Sequence, residues 1–420
     1  MNIDANYAKF LKTKFSGYQP MGGGASQPLH HRLFPYQKTA VEKLLECGRG
    51  AAFLDTGMGK TSIQIEWIRQ IDKPSLIVCP LAVADQTIAE AQQFGVEITK
   101  MGGSRFEITN YESMHKVDSS KYQAVVFDES SIFKSLNSKT KSIAEQMFAE
   151  TPYKLACSAT PSPNDLLEIG NQSQVLGVLR QVDMLSRWFV NDASNTGTWR
   201  LKGHARSDFW NWVNSWACVA SSPADLGDLE TDLSLPELRE HESIVEETAR
   251  AQGGLFAEIE LSATGIRQSK KQSLSARVDR CADLVDTNDY ALVWCDTNDE
   301  SDLIAKKVGG VEVRGDMSIE EKESRLVGFS RGDFRVLVTK PSIAGFGMNW
   351  QHCNNVVFAG ANYSFERYYQ AVRRCWRFGQ KREVDASVVM TPSERLIWMK
   401  TREKAEQHKM MSEEVRRWAA

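Results

Sequence analysis

The sequence predicts an α/β chain of two parallel-sheet lobes with a mostly helical, aromatic-rich insertion between them. Three observations carry this. Apolar strand-like runs alternate with segments of helical periodicity between residues 33 and 178, and again between about 275 and 390; strands alternating with helices imply parallel sheets covered on both faces. The stretch Gly50 to Ile68 reads strand, glycine loop, Lys-Thr, helix. Between the two regions the pattern changes to Phe209-Trp210-Asn211-Trp212-Val213-Asn214-Ser215-Trp216.

In order along the chain, residues 1–28 are polar, contain Met21-Gly22-Gly23-Gly24, and read as a flexible arm. The first lobe spans 29–180. A helix after Pro35 places Ala40, Val41, Leu44 and Leu45 on one face. Strands follow at Gly50–Leu54, Ser75–Cys79, Phe106–Thr109, Ala124–Phe127 and Tyr153–Cys157. Residues 181–274 form the insertion and linker. There Phe209, Trp212, Val213 and Trp216 repeat at helical spacing and read as a buried face, while Trp210 or Trp199 is the candidate for stacking on a base. Arg187, Arg200, Lys202, His204 and Arg206 are either phosphate contacts or a solvated face. Ser222 to Pro236 reads as loop, and Glu242–Glu247 and Ala249–Glu260 as weak helix. The second lobe spans 275–392, with strands at Ala291–Cys295, Arg335–Val338, Asn355–Ala359 and Ala386–Met390 and a serine-capped helix from Ser318. Residues 393–420 read as a charged helix packed back through Leu396, Trp398, Met399 and Trp418.

Composition narrows the classes. The 420 residues are 42% apolar and 25% charged, enough for ordinary cores. A net charge of −3 excludes a wholly basic nucleic-acid coat but leaves room for a local basic groove. The eight cysteines show no C-x-x-C pair and several lie in apolar runs, which fits buried reduced thiols and a cytoplasmic setting. No run approaches membrane-spanning length, and no signal-peptide pattern is present.

The chemistry starts at Asp55-Thr56-Gly57-Met58-Gly59-Lys60-Thr61. Gly57 and Gly59 permit the tight backbone that points successive N–H groups at one anion. The helix beginning there adds its free N–H groups and dipole. Lys60 is placed to meet the β- and γ-phosphates of a nucleotide, and Thr61 to offer its hydroxyl to Mg²⁺. Leu54 stands where the strict phosphate-loop pattern has its first glycine. Asp128-Glu129 ends a buried strand: Asp128 can hold Mg²⁺ through water, and Glu129 can orient or deprotonate an attacking water. Gln37, upstream of the loop, is a candidate for reading adenine, since an amide donates and accepts at once. In the second lobe, Arg374 and Arg377 lie three apart, one helix face by spacing, and suit phosphate oxygens.

With these residues in view, the chain resembles the superfamily-two helicases and, more closely, their Snf-type branch of nucleic-acid translocases. The likeness covers Leu33 to Val178 and Arg277 to Met390. It runs in order through Tyr36-Gln37, Gly57 to Thr61, Val78-Cys79-Pro80-Leu81, Thr109-Asn110-Tyr111-Glu112, Asp128-Glu129, Ser158-Ala159-Thr160-Pro161 with Asn164, Gly345-Phe346-Gly347-Met348-Asn349, and Gln370 to Gln380. The closing Arg-x-x-Arg-x-Gly-Gln is the most specific to the branch. Asp128-Glu129 is followed by Ser130-Ser131 where the family has Ala-His, so the link from hydrolysis to Ser158-Ala159-Thr160 is unassigned.

The resemblance implies two RecA-like lobes with ATP–Mg²⁺ between them. Lys60, Thr61, Asp128 and Glu129 come from the first; Arg374 and Arg377 reach across from the second, with Gly347 and Gln370 also at the nucleotide. Pro80, Leu81, Thr109, Asn110 and Thr339 match positions that touch a nucleic-acid backbone, and Ser158 and Thr160 match the coupling motif. Such contacts carry little sequence information, so binding is expected to be sequence-independent and salt-sensitive. Duplex DNA is the expected track, because the branch moves along duplexes without parting them; RNA stays open. An unwinding helicase and a nucleotide-switched clamp with little turnover are the competing readings. The compact chain fits a phage or bacterial member better than a chromatin remodeller.

Overall fold

A computed structural model describes residues 18–134, 138–162, 165–191, 199–246, 263–285, 288–344, 348–361 and 364–419. The chain divides into two units, Met1–Asp232 with His408–Ala420, and Leu233–Gln407.

The first unit holds a seven-stranded sheet of β1 (Arg49–Leu54), β2 (Ser75–Cys79), β3 (Ile98–Lys100), β4 (Phe106–Asn110), β5 (Ala124–Asp128), β6 (Tyr153–Ser158) and β9 (Ala217–Ala220). A separate antiparallel hairpin is made by β7 (Phe189–Asn191) and β8 (Trp199–Leu201). The sheet order is β3-β4-β2-β5-β6-β1-β9, and every pairing is parallel. The chain leaves β1, crosses to β2, jumps to the edge at β3, steps back inward to β4, then returns to fill the gap with β5 and β6. All strand ends therefore point to one edge. The strands are continuous apolar runs because both faces are covered: every residue of β2 and the first four of β5 are buried. On one face Leu76, Val78 and Phe127 meet Phe133 and Phe148, with Phe127 edge-on to both rings.

β9 was not foreseen, and it changes the status of the aromatic segment. The helix Arg206–Trp216 runs straight into β9, which lies beside the phosphate-loop strand with Ala51 opposite Ala217 and Leu54 opposite Ala220. Phe209, Trp212, Val213 and Trp216 are buried as their spacing predicts, and Trp216 packs edge-on against Phe53 of β1. Trp210 is buried too, at 1% exposure, which removes it as a stacking surface for bases. Trp199 is half-buried in β8 against the same core. So the helix and β9 are part of the first sheet's core rather than an appendage between lobes.

Residues 1–17 of the expected arm lie outside the described residues. The remainder is docked: Tyr18 Oη donates to the carbonyls of Cys47 and Arg49, Gly22 N–H to Glu46, and Ser26 Oγ to Gln70.

The second unit holds β10 (Leu238–Ile244), β11 (Ala291–Trp294), β12 (Val311–Glu312), β13 (Val336–Thr339), β14 (Asn355–Phe358) and β15 (Val384–Met390), in the order β10-β15-β14-β11-β13-β12, again all parallel. The helical reading of Glu242–Glu247 is wrong as far as Ile244, since Leu238–Ile244 pairs along β15. This is an edge strand whose outer residues face solvent, so it lacks an apolar signature. Ala249–Glu260 lies outside the described residues. Ser318 caps the helix Ile319–Arg331 by accepting from Glu321 N–H. The last helix, Pro392–Ala419, buries Ile397 and Trp398 and leaves Leu396 and Met399 outside; the side chain of Trp418 is not described. All eight cysteines are buried and unpaired, and among the described residues no helix is long and apolar enough to cross a membrane.

Candidate active site

Because the first sheet is parallel, its motifs gather at one edge. β1 delivers Leu54, fully buried as its last residue, and the N–H of Asp55 still bonds to Ala220 of β9. Gly57 and Gly59 then take φ of 92° and 69°, the left-handed region. At Gly59 space adds to conformation: a Cβ there would stand 2.2 Å from Gln37 Nε2. The helix Lys60–Ile71 starts immediately after, with its first N–H groups at the loop.

Lys60 Nζ lies back on its own loop, donating to the carbonyls of Leu54 (2.8 Å) and Asp55 (3.2 Å). Burial lowers its pKa, while the charges of Glu129, Asp55 and Asp128 raise it, so these three carboxylates share its field. Asp128 ends β5 with Oδ1 accepting from Gln64 Nε2 at 2.6 Å, and its carbonyl accepting from Tyr111 Oη at 2.7 Å. Burial raises the Asp128 pKa; the Gln64 hydrogen bond and Lys60 act against that rise. Glu129 follows with φ of 54°, an uncommon conformation for a residue with a Cβ. Its Oε1 accepts from Ser131 Oγ (3.0 Å) and Ser158 Oγ (3.4 Å), and Ser158 Oγ accepts from the N–H of Thr160 (3.1 Å). Thus Lys60, Asp128, Glu129, Ser158 and Thr160, far apart in the chain, form one cluster.

Gln37 is close to the loop but occupied. Its Oε1 accepts from Phe34 N–H (3.0 Å) and its Nε2 donates to the Met58 carbonyl (3.3 Å), which Tyr36 Oη also meets at 3.1 Å. At 4% exposure it braces the phosphate loop; its amide edge is not open to read a base. Thr61 is half-buried in the first helical turn.

The residues expected at the nucleic acid divide. Pro80 and Leu81 follow β2, and Leu81 is 65% exposed. Asn110 is half-buried at the end of β4, its Oδ1 accepting from Ser113 N–H at 2.8 Å. Thr109 and Thr339 are buried, and Thr339 Oγ1 donates to the Val313 carbonyl at 3.1 Å. Those two side chains belong to the interior of their sheets.

In the second unit, Gly347 lies outside the described residues. Gln370 is half-buried on the helix Phe365–Val372. That helix ends before Arg374, so the expected shared helix face is absent; residues 373–379 are turns. Arg374 and Arg377 nevertheless converge, because the Nη1 of each donates to the Met348 carbonyl, at 3.2 and 3.4 Å. The turn is held by Trp350 N–H bonding to the Arg374 carbonyl and by Arg373, buried between Tyr369 and Trp376.

Gln64 was not singled out from sequence, and Tyr111 and Ser131 were named only within motif stretches, without a role of their own. Gln64 was findable, being four residues past Lys60 on one helix and therefore on its face. The donor set fits Mg²⁺. Among the described residues no three His, Cys, Asp or Glu side chains could hold a metal. An ion that keeps several waters and binds through nucleotide phosphates needs only the Thr61 hydroxyl and the Asp128 carboxylate.

Two family models match the chain. Residues 30–162 match one described as the type III restriction enzyme res subunit, and residues 276–379 match the helicase conserved C-terminal domain. No curated protein matches. Among solved structures, the Sulfolobus solfataricus SWI2/SNF2 ATPase core in complex with dsDNA is similar at 16% identity and a TM-score of 0.41, over 95% of this chain and 96% of that one.

Proposed function

We propose, from the premise that this chain belongs to the superfamily-two helicases, that it is a duplex-DNA translocase of the Snf type, hydrolysing ATP with groups drawn from both units. The observation that carries the proposal is the cluster of Lys60, Asp128, Glu129 and Ser158 at one edge of the first sheet. A phosphate loop alone binds a nucleotide. A loop joined to an aligned carboxylate pair, one member held by Gln64 and the other by two hydroxyls, is equipped to cleave it.

The chemistry follows from these residues. Lys60 exchanges its two backbone carbonyls for the β- and γ-phosphate oxygens. The N–H groups of the glycine loop take the remaining phosphate charge. Thr61 and Asp128 would hold Mg²⁺, whose charge would offset that of the β- and γ-phosphates. Glu129 accepts a proton from the water that attacks the γ-phosphorus, as the bond to the β,γ-bridging oxygen breaks. Arg374 and Arg377, already converging on one carbonyl, are the second unit's groups for supplying positive charge to the transferring phosphoryl group. Such an arginine contributes roughly 10³–10⁵ in rate. Leu81, Pro80 and Asn110 are the first-unit residues offered to the DNA backbone.

The motif order and the Arg-x-x-Arg-x-Gly-Gln ending support the Snf-type branch, and with it a duplex track. The test is ATP hydrolysis measured in parallel with duplex DNA, single-stranded DNA and RNA, alongside triplex- and strand-displacement assays. Duplex-stimulated turnover with triplex displacement and no strand separation is expected. Stimulation by RNA alone, strand separation, or tight binding without turnover each replaces the duplex translocase with one of its rivals.

A further inference from the structure

We propose that Ser131 is a positioning residue for ATP hydrolysis, holding the Glu129 carboxylate between its own hydroxyl and that of Ser158. The proposal rests on the reading of Glu129 as the acceptor of the water's proton.

Residues 128–131 read Asp-Glu-Ser-Ser, where the family has a bulky histidine in the last place. A serine cannot reach as far as that imidazole. Here it does not need to. Glu129 turns the backbone to φ of 54°, and the chain continues as a 3-10 turn over Ser130–Lys134. The turn brings the hydroxyl two residues on back to the Glu129 side chain, at 3.0 Å from Oε1.

The second donor comes from another strand. Ser158 Oγ accepts the N–H of Thr160, so its proton is available for Glu129 Oε1 at 3.4 Å. A chain of bonds thus runs from the Thr160 backbone through Ser158 to the carboxylate, with Ser131 closing the other side. Ser131 and Ser158 are 2% and 0% exposed, so water does not substitute for either hydroxyl.

The geometry also explains why a clamp is needed. Glutamate has three rotatable side-chain bonds, and among the carboxylates whose charge acts on the Lys60 ammonium Glu129 comes first. Left alone, the carboxylate lowers its energy by pairing with that lysine. The pair removes the water's base and occupies the group meant for the phosphates. Two dry hydroxyl donors on one oxygen hold the side chain in a single place.

Ser130 is an internal control. It has the same side chain, sits in the same turn and is 0% exposed, yet among the described residues its hydroxyl has no hydrogen-bond partner. Its carbonyl, not its side chain, is held, by Gln172 Nε2 at 2.9 Å.

The experiment uses the full chain and compares Ser131→Ala, Ser131→Thr, Ser130→Ala, Glu129→Gln and the double variant Glu129→Gln/Ser131→Ala. Steady-state turnover is measured with saturating duplex DNA. Binding of a fluorescent ATP analogue and thermal melting are measured on the same samples. Ser131→Ala should lower kcat about tenfold, the scale of one hydrogen bond to a charged group, with nucleotide affinity and melting temperature unchanged. Ser131→Thr, which keeps the hydroxyl, should recover most of the rate, and Ser130→Ala should match the wild type. The double variant should be no slower than Glu129→Gln, because the clamp has nothing left to hold. Full speed in Ser131→Ala beside an inactive Glu129→Gln would overturn the positioning role alone. A matched loss of affinity and melting temperature in Ser131→Ala would overturn it too. Turnover surviving in Glu129→Gln would instead remove the reading on which the proposal stands.

Discussion

At the strand ends of the first sheet, half-buried charges rest on neutral partners: Lys60 on two carbonyls, Asp128 on the Gln64 amide. At the strand ends of the second sheet, buried charges rest on each other. Arg277 Nη2 lies 2.8 Å from Glu394 Oε2 and Arg277 Nε 3.8 Å from Glu300 Oε1, while Lys270 pairs with both Asp296 and Glu394. Glu394 also accepts from Thr391 N–H, and Glu300 from the N–H groups of Asp296 and Thr297. The two edges are built alike, yet one stores charge in a form that can be exchanged for a ligand and the other locks it away. A carbonyl is a partner that a phosphate can replace. A carboxylate two hydrogen bonds deep is not. On the proposed function, that difference separates an exchangeable first edge from a locked second one.

The strongest way to break that comparison is to neutralise one carboxylate at each edge. Asp128→Asn should cut Mg²⁺-dependent turnover on the order of 10²–10³-fold, as when one electrostatic group leaves a reaction centre, and should leave melting unchanged or slightly higher. The sign follows from the raised Asp128 pKa. Between the ordinary value of 3.8 and the raised one, the folded chain binds more protons than the unfolded, so ionising Asp128 costs stability as pH rises through that window. Glu394→Gln should do the reverse. It leaves Arg277 buried against a partial partner set, a loss of about 3–5 kcal/mol in the second unit's unfolding by denaturant. A destabilised Asp128→Asn beside a tolerant Glu394→Gln would invert the assignment.

An effect of similar size on stability, confined to the first unit, sharpens the same point. Trp216→Ala and Trp210→Ala should each destabilise by roughly 3–5 kcal/mol, the range for emptying a buried aromatic site. Trp216 carries the added consequence of loosening β1, the strand that presents the phosphate loop. Melting curves with and without ATP separate the two: Trp216→Ala should also weaken nucleotide binding, whereas Trp210→Ala should not. Loss of DNA binding without loss of stability in Trp210→Ala would restore the stacking role that its burial removes.

What was legible in the sequence follows from these physical differences. Strands buried on both faces announce themselves, as Ala124–Phe127 does, and the motifs they deliver could be read directly. β10 could not be, because Leu238-Arg239-Glu240-His241-Glu242 has its outer positions in water and keeps no apolar pattern. β9 was hidden because helix passes into strand at Trp216-Ala217 without a glycine or proline between them. Arg374 and Arg377 were paired for the wrong reason: spacing pointed to a helix, while the structure brings them together in a turn through the Met348 carbonyl. The Gln37 amide was expected to face a base, and nothing local shows that Phe34 and Met58 take it. The bonds of Glu129 to Ser131 and Ser158 depend on a left-handed φ and a neighbouring strand, and neither is written in a motif.

The smallest effect tests how far the phosphate loop leans on distant chain. Asp228 lies in a stretch read as loop, yet its Oδ2 accepts from the N–H of Tyr36 at 3.2 Å and from Thr231 Oγ1 at 2.7 Å. Tyr36 in turn reaches Met58 in the glycine loop. The Thr231 hydroxyl, helped by backbone N–H groups, holds the Asp228 pKa below the ordinary 3.8. The unfolded chain therefore binds the proton first, so this contribution is complete above 3.8 and fades as pH falls toward the folded value. Asp228→Asn should lower the melting temperature slightly at neutral pH and close the gap to the wild type in acid. Its nucleotide affinity should fall by no more than about the factor expected for a single neutral hydrogen bond, up to tenfold. A gap that widens on acidification would mean that Asp228 is not the ionised clasp between the loop and the helix of Tyr36.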